Sequence, residues 1–179
     1  MNPLISADSL LQAAPRPVLI DVTWNLAGPP GRDAYDAGHL PGAHFVDLDA
    51  ELAGPPGRGG RHPLPPASVV EAALRRAGVS ADSTVVVYDA ANSMAAARAW
   101  WVFRYFGLAD VRVLDGGLAA WQAAGGEVTT EVPAAGAGDF VAKPGGMPLL
   151  TAAEAGAWAE AGRLLDARAP ERYAGEVEP

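Results

Sequence analysis

The stretch that decides the fold runs from Thr84 to Trp121 and reads TVVVYDAANSMAAARAWWVFRYFGLADVRVLDGGLAAW. Its first five residues, 84–88, are β-branched or aromatic, which is typical of a strand buried on both faces of a parallel sheet. Apolar residues at helical spacing follow and stop at Gly107, so the spacing predicts a helix. Residues 111–114 predict a second buried strand, and a short helix then ends at Gly125. The order of these elements predicts an α/β fold with an open parallel sheet and helices on both faces.

The loop from Asp89 to Met94 joins the first of these strands to its helix. In an open parallel sheet, ligands bind outside the carboxyl ends of the strands, where loop amides and helix N-termini meet. This loop is therefore the first place to search for chemistry, and it contains no cysteine. Cysteine is absent from the whole sequence. The chain therefore supplies no disulfide, no thiolate metal ligand and no thiol nucleophile.

Composition narrows the class of protein. The chain has 179 residues, of which 50% are hydrophobic and 19% charged, a balance typical of a globular protein. Its formal net charge of −8 argues against nucleic acid or an acidic membrane surface as partner. No apolar run is long enough to span a bilayer, and the N-terminus lacks a signal-peptide pattern. We expect a cytoplasmic protein without a membrane partner, a metal or a cofactor.

Upstream of the deciding stretch, residues 18–22 predict a first strand with Asp21 near its carboxyl end. The carboxylate either fixes a loop by hydrogen bonds or lies near a site. A turn rich in glycine and proline follows at residues 38–43 and includes His39. A lone histidine in such a turn is typical of a structural role, because no further ligands stand at metal spacing.

The composition changes after Trp121, and residues 131–149 are interpreted as a linker rich in Gly, Pro and Ala. Thr151 and Glu154 then have the spacing of a capping box, and residues 163–168 predict a strand that ends in a charged turn. This order of helix and strand repeats the beginning of the chain. We therefore predict one domain over residues 1–130, the linker, and an incomplete second copy over residues 150–179.

Together these motifs resemble the two-domain rhodanese-like sulfurtransferases, the thiosulfate and 3-mercaptopyruvate sulfurtransferases. The resemblance covers nearly the whole chain. The motifs that carry it lie in order at residues 19–21 and 38–43 (LID and GHLPGA), 85–89 (VVVYD), 98–104 (RAWWVFR) and 113–121 (VLDGGLAAW).

The resemblance implies which residues matter. In that family the first domain lacks the catalytic cysteine, and the second domain carries it in the equivalent loop between strand and helix. Asp89 therefore stands at the position that corresponds to the cysteine, and this first copy is expected to be inactive. The second domain opens with a pattern similar to Asp166-Ala167-Arg168, whose arginine binds the anionic substrate. This implies that Arg168 binds substrate, with Arg172 as a weaker candidate.

The sequence stops where the family would continue to a second glycine-rich turn and the catalytic loop. Three explanations are open: one piece of a cleaved enzyme whose remainder is a separate chain, a truncated form, or a natural non-catalytic module. The first two predict the N-terminal portion of a sulfurtransferase. Such an enzyme moves sulfane sulfur from thiosulfate or 3-mercaptopyruvate, through a cysteine persulfide, to cyanide or a thiol. The alternative is a rhodanese-like module that binds or regulates without turnover.

Overall fold

The computed structural model describes residues 2–26, 28–57 and 60–177. The chain divides into two compact units, with the boundary between Met147 and Pro148. The first unit contains a parallel sheet of five strands in the order β1-β5-β4-β2-β3. The strands in chain order are β1 (Leu4–Ile5), β2 (Val18–Asp21), β3 (His44–Phe45), β4 (Thr84–Tyr88) and β5 (Asp110–Leu114).

Helices connect these strands. They are α1 (Ala7–Leu11), α2 (Gly31–Ala37), α3 (Leu48–Glu51), α4 (Ala67–Arg76), α5 (Met94–Tyr105) and α6 (Gly117–Ala123). The predicted order of strand, loop, helix, strand and helix within residues 84–121 is confirmed. The predicted α/β architecture is likewise confirmed.

Alternate side chains of β4 enter two different cores. Val85 and Val87 pack in a cluster with α4 and α5. Val86 and Tyr88 pack on the opposite face of the sheet in a cluster that includes residues of α1 and α6. Successive strand residues point to opposite faces, so a continuous apolar run is needed when helices cover both.

Residues 131–147, most of the predicted linker, belong to the first compact unit, which differs from a flexible connection. The backbone of Thr129 exchanges two hydrogen bonds of 2.9 Å with that of His39. Further along, Phe140 is buried in the core on the α4 side, and its carbonyl accepts a hydrogen bond from Arg75. Composition predicts poor helix or strand formation here, but it does not reveal that one aromatic side chain anchors the segment.

The second unit contains α7 (Ala152–Glu160) and α8 (Pro170–Tyr173). The predicted capping box is confirmed, since Thr151 and Glu154 each bond the other's backbone amide. The described residues 163–168 form no strand. A strand needs a neighbour for its backbone groups, and the described part of this unit offers none.

Candidate functional site

The site begins where β2 and β4 end side by side. Asp21 is paired in register with Tyr88, so the residues that follow each strand leave the sheet at the same edge. The Asp21 carboxylate accepts a hydrogen bond of 2.8 Å from the amide of Thr23. The Thr23 hydroxyl in turn accepts one of 3.0 Å from the amide of Ala90, the first residue after Asp89. This turn after β2 therefore fixes the start of the loop after β4.

Asp89 is buried, and its carboxylate is surrounded by backbone amides of its own loop and of α5. One oxygen accepts from the amides of Ala91 at 2.9 Å and Ser93 at 3.0 Å, and the other accepts from Ala96 at 3.0 Å. Amides at the start of a helix attract negative charge. The carboxylate of Asp89 therefore occupies, from within the chain, the amides that could otherwise bind an external anion.

Two backbone features hold the loop in this shape. Ser93, immediately before α5, has φ of +63°, the left-handed conformation that a residue with a side chain adopts at a cost. Gly117 lies against the other side, where a Cβ atom would stand 2.3 Å from the carbonyl oxygen of Asp89. Only glycine permits that approach, which explains the second glycine of the Gly116-Gly117 pair.

A histidine and an aspartate lie together at the same end of the sheet. Nε2 of His62 is 3.1 Å from one carboxylate oxygen of Asp49, and Nε1 of Trp24 donates to the other oxygen at 2.8 Å. The rings of Trp24 and His62 meet edge to face, with centroids 5.6 Å apart. The His62 side chain remains 25% exposed, and its contact with Asp49 restricts the orientation of the ring.

Arg98 positions the loop that carries this histidine. Its guanidinium donates to the carbonyl oxygens of Leu52, His62 and Pro63 at 2.8–3.2 Å. Burial of the guanidinium lowers its pKa. These contacts of Arg98 close the long loop before α4.

Three ionisable side chains near the site are buried: Asp21, His39 and Tyr88. Burial raises the pKa of Asp21 despite hydrogen bonds from Thr23 and Tyr88, and burial also raises the pKa of Tyr88. His39 is fully buried and stacks on Tyr35, with ring centroids 3.8 Å apart. Its two ring nitrogens face the carbonyl oxygens of Tyr35 and Glu131. These contacts fit the structural role predicted for His39.

In the second unit, Asp166 forms the same kind of turn as Asp21. Its carboxylate accepts from the amide of Arg168 at 2.8 Å and from the Arg168 guanidinium at 2.8–3.1 Å. The guanidinium carbon lies 5.5 Å from the ring centroid of Tyr173. These bonds, with the charges of Arg168 and Arg172, lower the pKa of Asp166 to about 2. A concave surface of this unit includes Asp166, Arg168 and Tyr173.

The structure thus gives each residue singled out from the sequence a defined environment. Asp89 lies in the first unit, and Arg168 and Arg172 lie in the second. Their assigned roles stay predictions. Sequence reasoning missed the pairing of His62 with Asp49, because the two residues are 13 positions apart on different segments.

Among the described residues, no group of three or more His, Cys, Asp or Glu could hold a metal ion. No described helix is long and apolar enough to cross a membrane.

A parallel sheet covered on both faces, with an amide-lined loop after its central strand, is the architecture of a rhodanese-like domain. The family model for this domain matches residues 6–124. The chain belongs to the rhodanese-like family.

Relatives with curated names support this assignment. The chain is 46% identical over 176 residues to SseB of Mycobacterium tuberculosis, a proposed thiosulfate sulfurtransferase. It is 41% identical over 186 residues to a Pseudomonas aeruginosa protein assigned as a 3-mercaptopyruvate sulfurtransferase. These alignments cover 95% and 98% of this chain but 61% and 65% of the relatives. The chain therefore spans less than two thirds of their length.

A solved structure extends the similarity to three dimensions. The crystal structure of SseA from Escherichia coli, a 3-mercaptopyruvate sulfurtransferase, superposes with a TM-score of 0.85 at 29% sequence identity. That match covers 99% of this chain and 70% of SseA. The predicted resemblance to sulfurtransferases of the rhodanese type is confirmed.

Proposed function

We propose that this chain is the N-terminal portion of a sulfurtransferase. The enzyme moves sulfane sulfur from thiosulfate or 3-mercaptopyruvate to cyanide or a thiol, through a persulfide on a cysteine in a second rhodanese-like domain. The partners are a small anionic sulfur donor and that second domain, in the same polypeptide or as a separate chain after cleavage. The cytoplasmic location is part of the proposal, since the catalytic thiolate of the second domain has to be kept reduced.

The observation that carries the proposal is the repeated turn. In the first unit, Asp21 accepts the amide of Thr23, and Thr23 bonds the residue that follows Asp89. In the second unit, Asp166 accepts the amide of Arg168 at the same spacing and the same distance of 2.8 Å. If the second copy repeats the first, Arg168 replaces Thr23 beside the loop where the family carries its cysteine. A guanidinium is then placed beside the reacting sulfur.

The chemistry suits an arginine at that position. A guanidinium can hold two oxygens of thiosulfate, or the carboxylate of mercaptopyruvate, in a bidentate manner. With thiosulfate, the cysteine thiolate attacks the outer sulfur, the S–S bond breaks, and sulfite leaves with the electron pair. An acceptor such as cyanide then attacks the persulfide and regenerates the thiolate. Arg168 would stabilise the charge on the donor, with Arg172 as a second cation.

The alternative is a module that binds or regulates without turnover, and one observation supports the absence of turnover. The carboxylate of Asp89 already occupies the amides of its loop, so the first unit offers no open anion site there. We apply this non-catalytic alternative to the first unit alone. It agrees with the expectation that the first copy is inactive.

A fusion protein tests the proposal. The full 179-residue chain is joined to the C-terminal remainder of the Pseudomonas aeruginosa relative, and thiocyanate formation is measured with thiosulfate or 3-mercaptopyruvate as donor and cyanide as acceptor. We expect turnover by the fusion and none by the chain alone. Arg168→Gln should lower kcat/KM by about 100-fold, as expected for a lost charge-assisted contact to the donor. Arg163→Gln, an exposed charge in the same unit, is the matched control.

Two results would contradict the proposal: an active fusion in which Arg168→Gln and Arg163→Gln behave alike, or a folded fusion without activity. Intact-mass measurement of the protein from its natural source then separates the open explanations. A longer species, or a cysteine-containing species that co-purifies, supports the two-domain enzyme. A single species of 18.4 kDa supports the binding module.

A further inference from the structure

A small cavity lies at the β3 edge of the sheet, among α2, the end of α4 and the segment around residue 132. We call it the edge cavity. Its volume is about 190 Å³. Residues that line it include Arg32, Tyr35, His44, Phe45, Arg76 and Val132. Since pockets for cofactors and drug-sized ligands have about 300–1,000 Å³, this cavity suits a much smaller molecule.

The charges around the edge cavity are unusual for this chain. The protein has 21 acidic residues and a net charge of −8, yet no carboxylate is among the described residues that line the cavity. Two guanidiniums and one imidazole line it instead. The lining therefore presents hydrogen-bond donors, and no carboxylate, to a molecule in the cavity.

Both guanidiniums are held in place by acids outside the lining. Nε of Arg32 donates to the Asp36 carboxylate at 2.9 and 3.0 Å. Arg76 bonds Glu51 at 2.8 and 3.1 Å and the carbonyl oxygen of Phe45 at 3.3 Å. Among the described residues, the bonds of Arg32 to Asp36 use Nε alone. The two terminal amino groups of Arg32 therefore remain able to donate to a bound carboxylate.

Aromatic and aliphatic side chains form the rest of the cavity wall. The guanidinium carbon of Arg32 lies 5.3 Å from the ring centroid of Tyr35 and 5.7 Å from that of Phe45. Stacking of this kind restricts the orientation of the guanidinium before a ligand arrives. The exposed side chain of Val132 lines the same cavity. A ligand with one anionic end and a short apolar body would satisfy both kinds of wall.

The pKa of His44 depends on the charges around the edge cavity. Burial and the positive charge of Arg76 both lower the pKa of this imidazole. An anion bound between Arg76 and Arg32 would oppose that positive charge. The pKa of His44 should therefore rise when the cavity is occupied.

From this geometry we propose that the edge cavity binds a small organic carboxylate, with Arg32 and Arg76 holding the anionic end and Val132 contacting the apolar end. The site is independent of the proposed sulfur transfer, because it lies at the β3 edge and uses none of the residues assigned to that reaction. Its ligand is a carboxylate of two to four carbons, a size that the volume of the cavity admits.

The test uses the 179-residue chain labelled with ¹⁵N and ¹³C and follows the His44 ring and the Arg32 side chain by NMR. Sodium propionate is titrated at constant ionic strength against propionamide, its neutral isostere, and against sodium sulfate. We expect saturable shifts with propionate at millimolar concentrations, a higher His44 pKa with propionate bound, and no saturable change with propionamide. Arg32→Gln should weaken propionate binding by about tenfold or more.

The matched control is Arg112→Gln, which removes the same charge from a guanidinium that is paired with Asp110 and does not line the edge cavity. Its affinity for propionate should stay within about twofold of the parent chain. Equal weakening by both variants, equal affinity for sulfate, or no saturation with propionate would each overturn the proposal. Sulfurtransferase activity of the fusion does not enter any of these outcomes.

Discussion

The turn that follows Asp21 and the turn that follows Asp166 have the same local geometry in opposite surroundings. In each, the aspartate accepts the amide two residues ahead at 2.8 Å. Asp21 is buried at the carboxyl end of β2, where it accepts a hydrogen bond from the amide of Thr23. Asp166 is exposed and bonds a neighbouring arginine. Burial raises the pKa of Asp21, while hydrogen bonds from Arg168 lower the pKa of Asp166 to about 2.

The same local structure therefore has different energetic consequences in the two units. The spacing of the residues alone produces the turn, because a short carboxylate reaches the amide two positions ahead. Whether that carboxylate stabilises the fold depends on how much water it loses and which charges face it. We therefore expect substitutions in the first unit to change stability and the corresponding substitutions in the second unit to leave it nearly unchanged.

Phe140→Ala should give the largest loss of stability. The ring is buried in the core on the α4 side, so the substitution leaves a cavity and is expected to lower the free energy of unfolding by about 3–5 kcal/mol. Urea denaturation followed by fluorescence and circular dichroism measures this. Trp158→Ala removes a larger ring from the second unit, where it is 46% exposed, and should leave the main transition in place. A small effect of Phe140→Ala would show that residues 131–147 do not belong to the folding unit.

Asp21→Ala is expected to have the second largest effect. It removes the acceptor of the Thr23 amide and leaves a buried donor without a partner, at about 1–3 kcal/mol. Asp166→Ala removes the same contact in an exposed turn, and the midpoint of the urea transition should not move. Equal midpoints for both variants would contradict the difference between the two turns.

Ser93→Gly should stabilise the first unit slightly. The left-handed backbone at position 93 is strained for serine and relaxed for glycine, and the gain is about 0.5–1 kcal/mol after the added chain entropy is counted. Ala97→Gly is the matched control on the same helix, and it should destabilise by about 1 kcal/mol. Thermal melts of both variants beside the parent chain decide the sign.

The smallest expected effects are on the pH dependence of stability. The two aspartates should contribute to it with opposite signs. The pKa of Asp21 is raised, so its protonated form favours folding, and this contribution is lost as pH rises through the folded pKa. The pKa of Asp166 is lowered to about 2. Its contribution to the stability of the folded chain is therefore present at pH values above the usual pKa of an aspartate, and it is lost as pH falls toward 2. Carboxyl ¹³C titration of the labelled chain measures both values. Titration of Asp21 below that of Asp166 would contradict the described environments.

Much of the fold could be predicted from the sequence because the central elements are long and strongly patterned. The run at residues 84–88 and the helix that stops before Gly107 have the periods of their observed structures. The capping box at Thr151 was likewise visible as a spacing. The packed segment at residues 131–147 was not, because Phe140 is one aromatic residue in a stretch without periodicity.

The candidate site was only partly predictable for a related reason. Asp89 and Asp21 stand at strand ends, which sequence periodicity locates. Asp49 and His62 come from a helix and a long loop, and nothing in their spacing indicates that they bond. The contacts of Arg98 with three carbonyl groups were equally hidden, since main-chain acceptors carry no sequence signature.

The sequence by itself determined the central elements over residues 84–121, their order and the absence of a thiol, because periodicity, turn residues and residue identity are properties of the chain. It also determined the two aspartate turns, which depend on neighbouring residues only. The tertiary structure alone decided that Asp89 fills its loop, that His62 is held by Asp49, and that a cationic cavity opens beside β3. Those features depend on burial and on groups distant in sequence, and the energy of a charged group is set by the atoms that surround it in space.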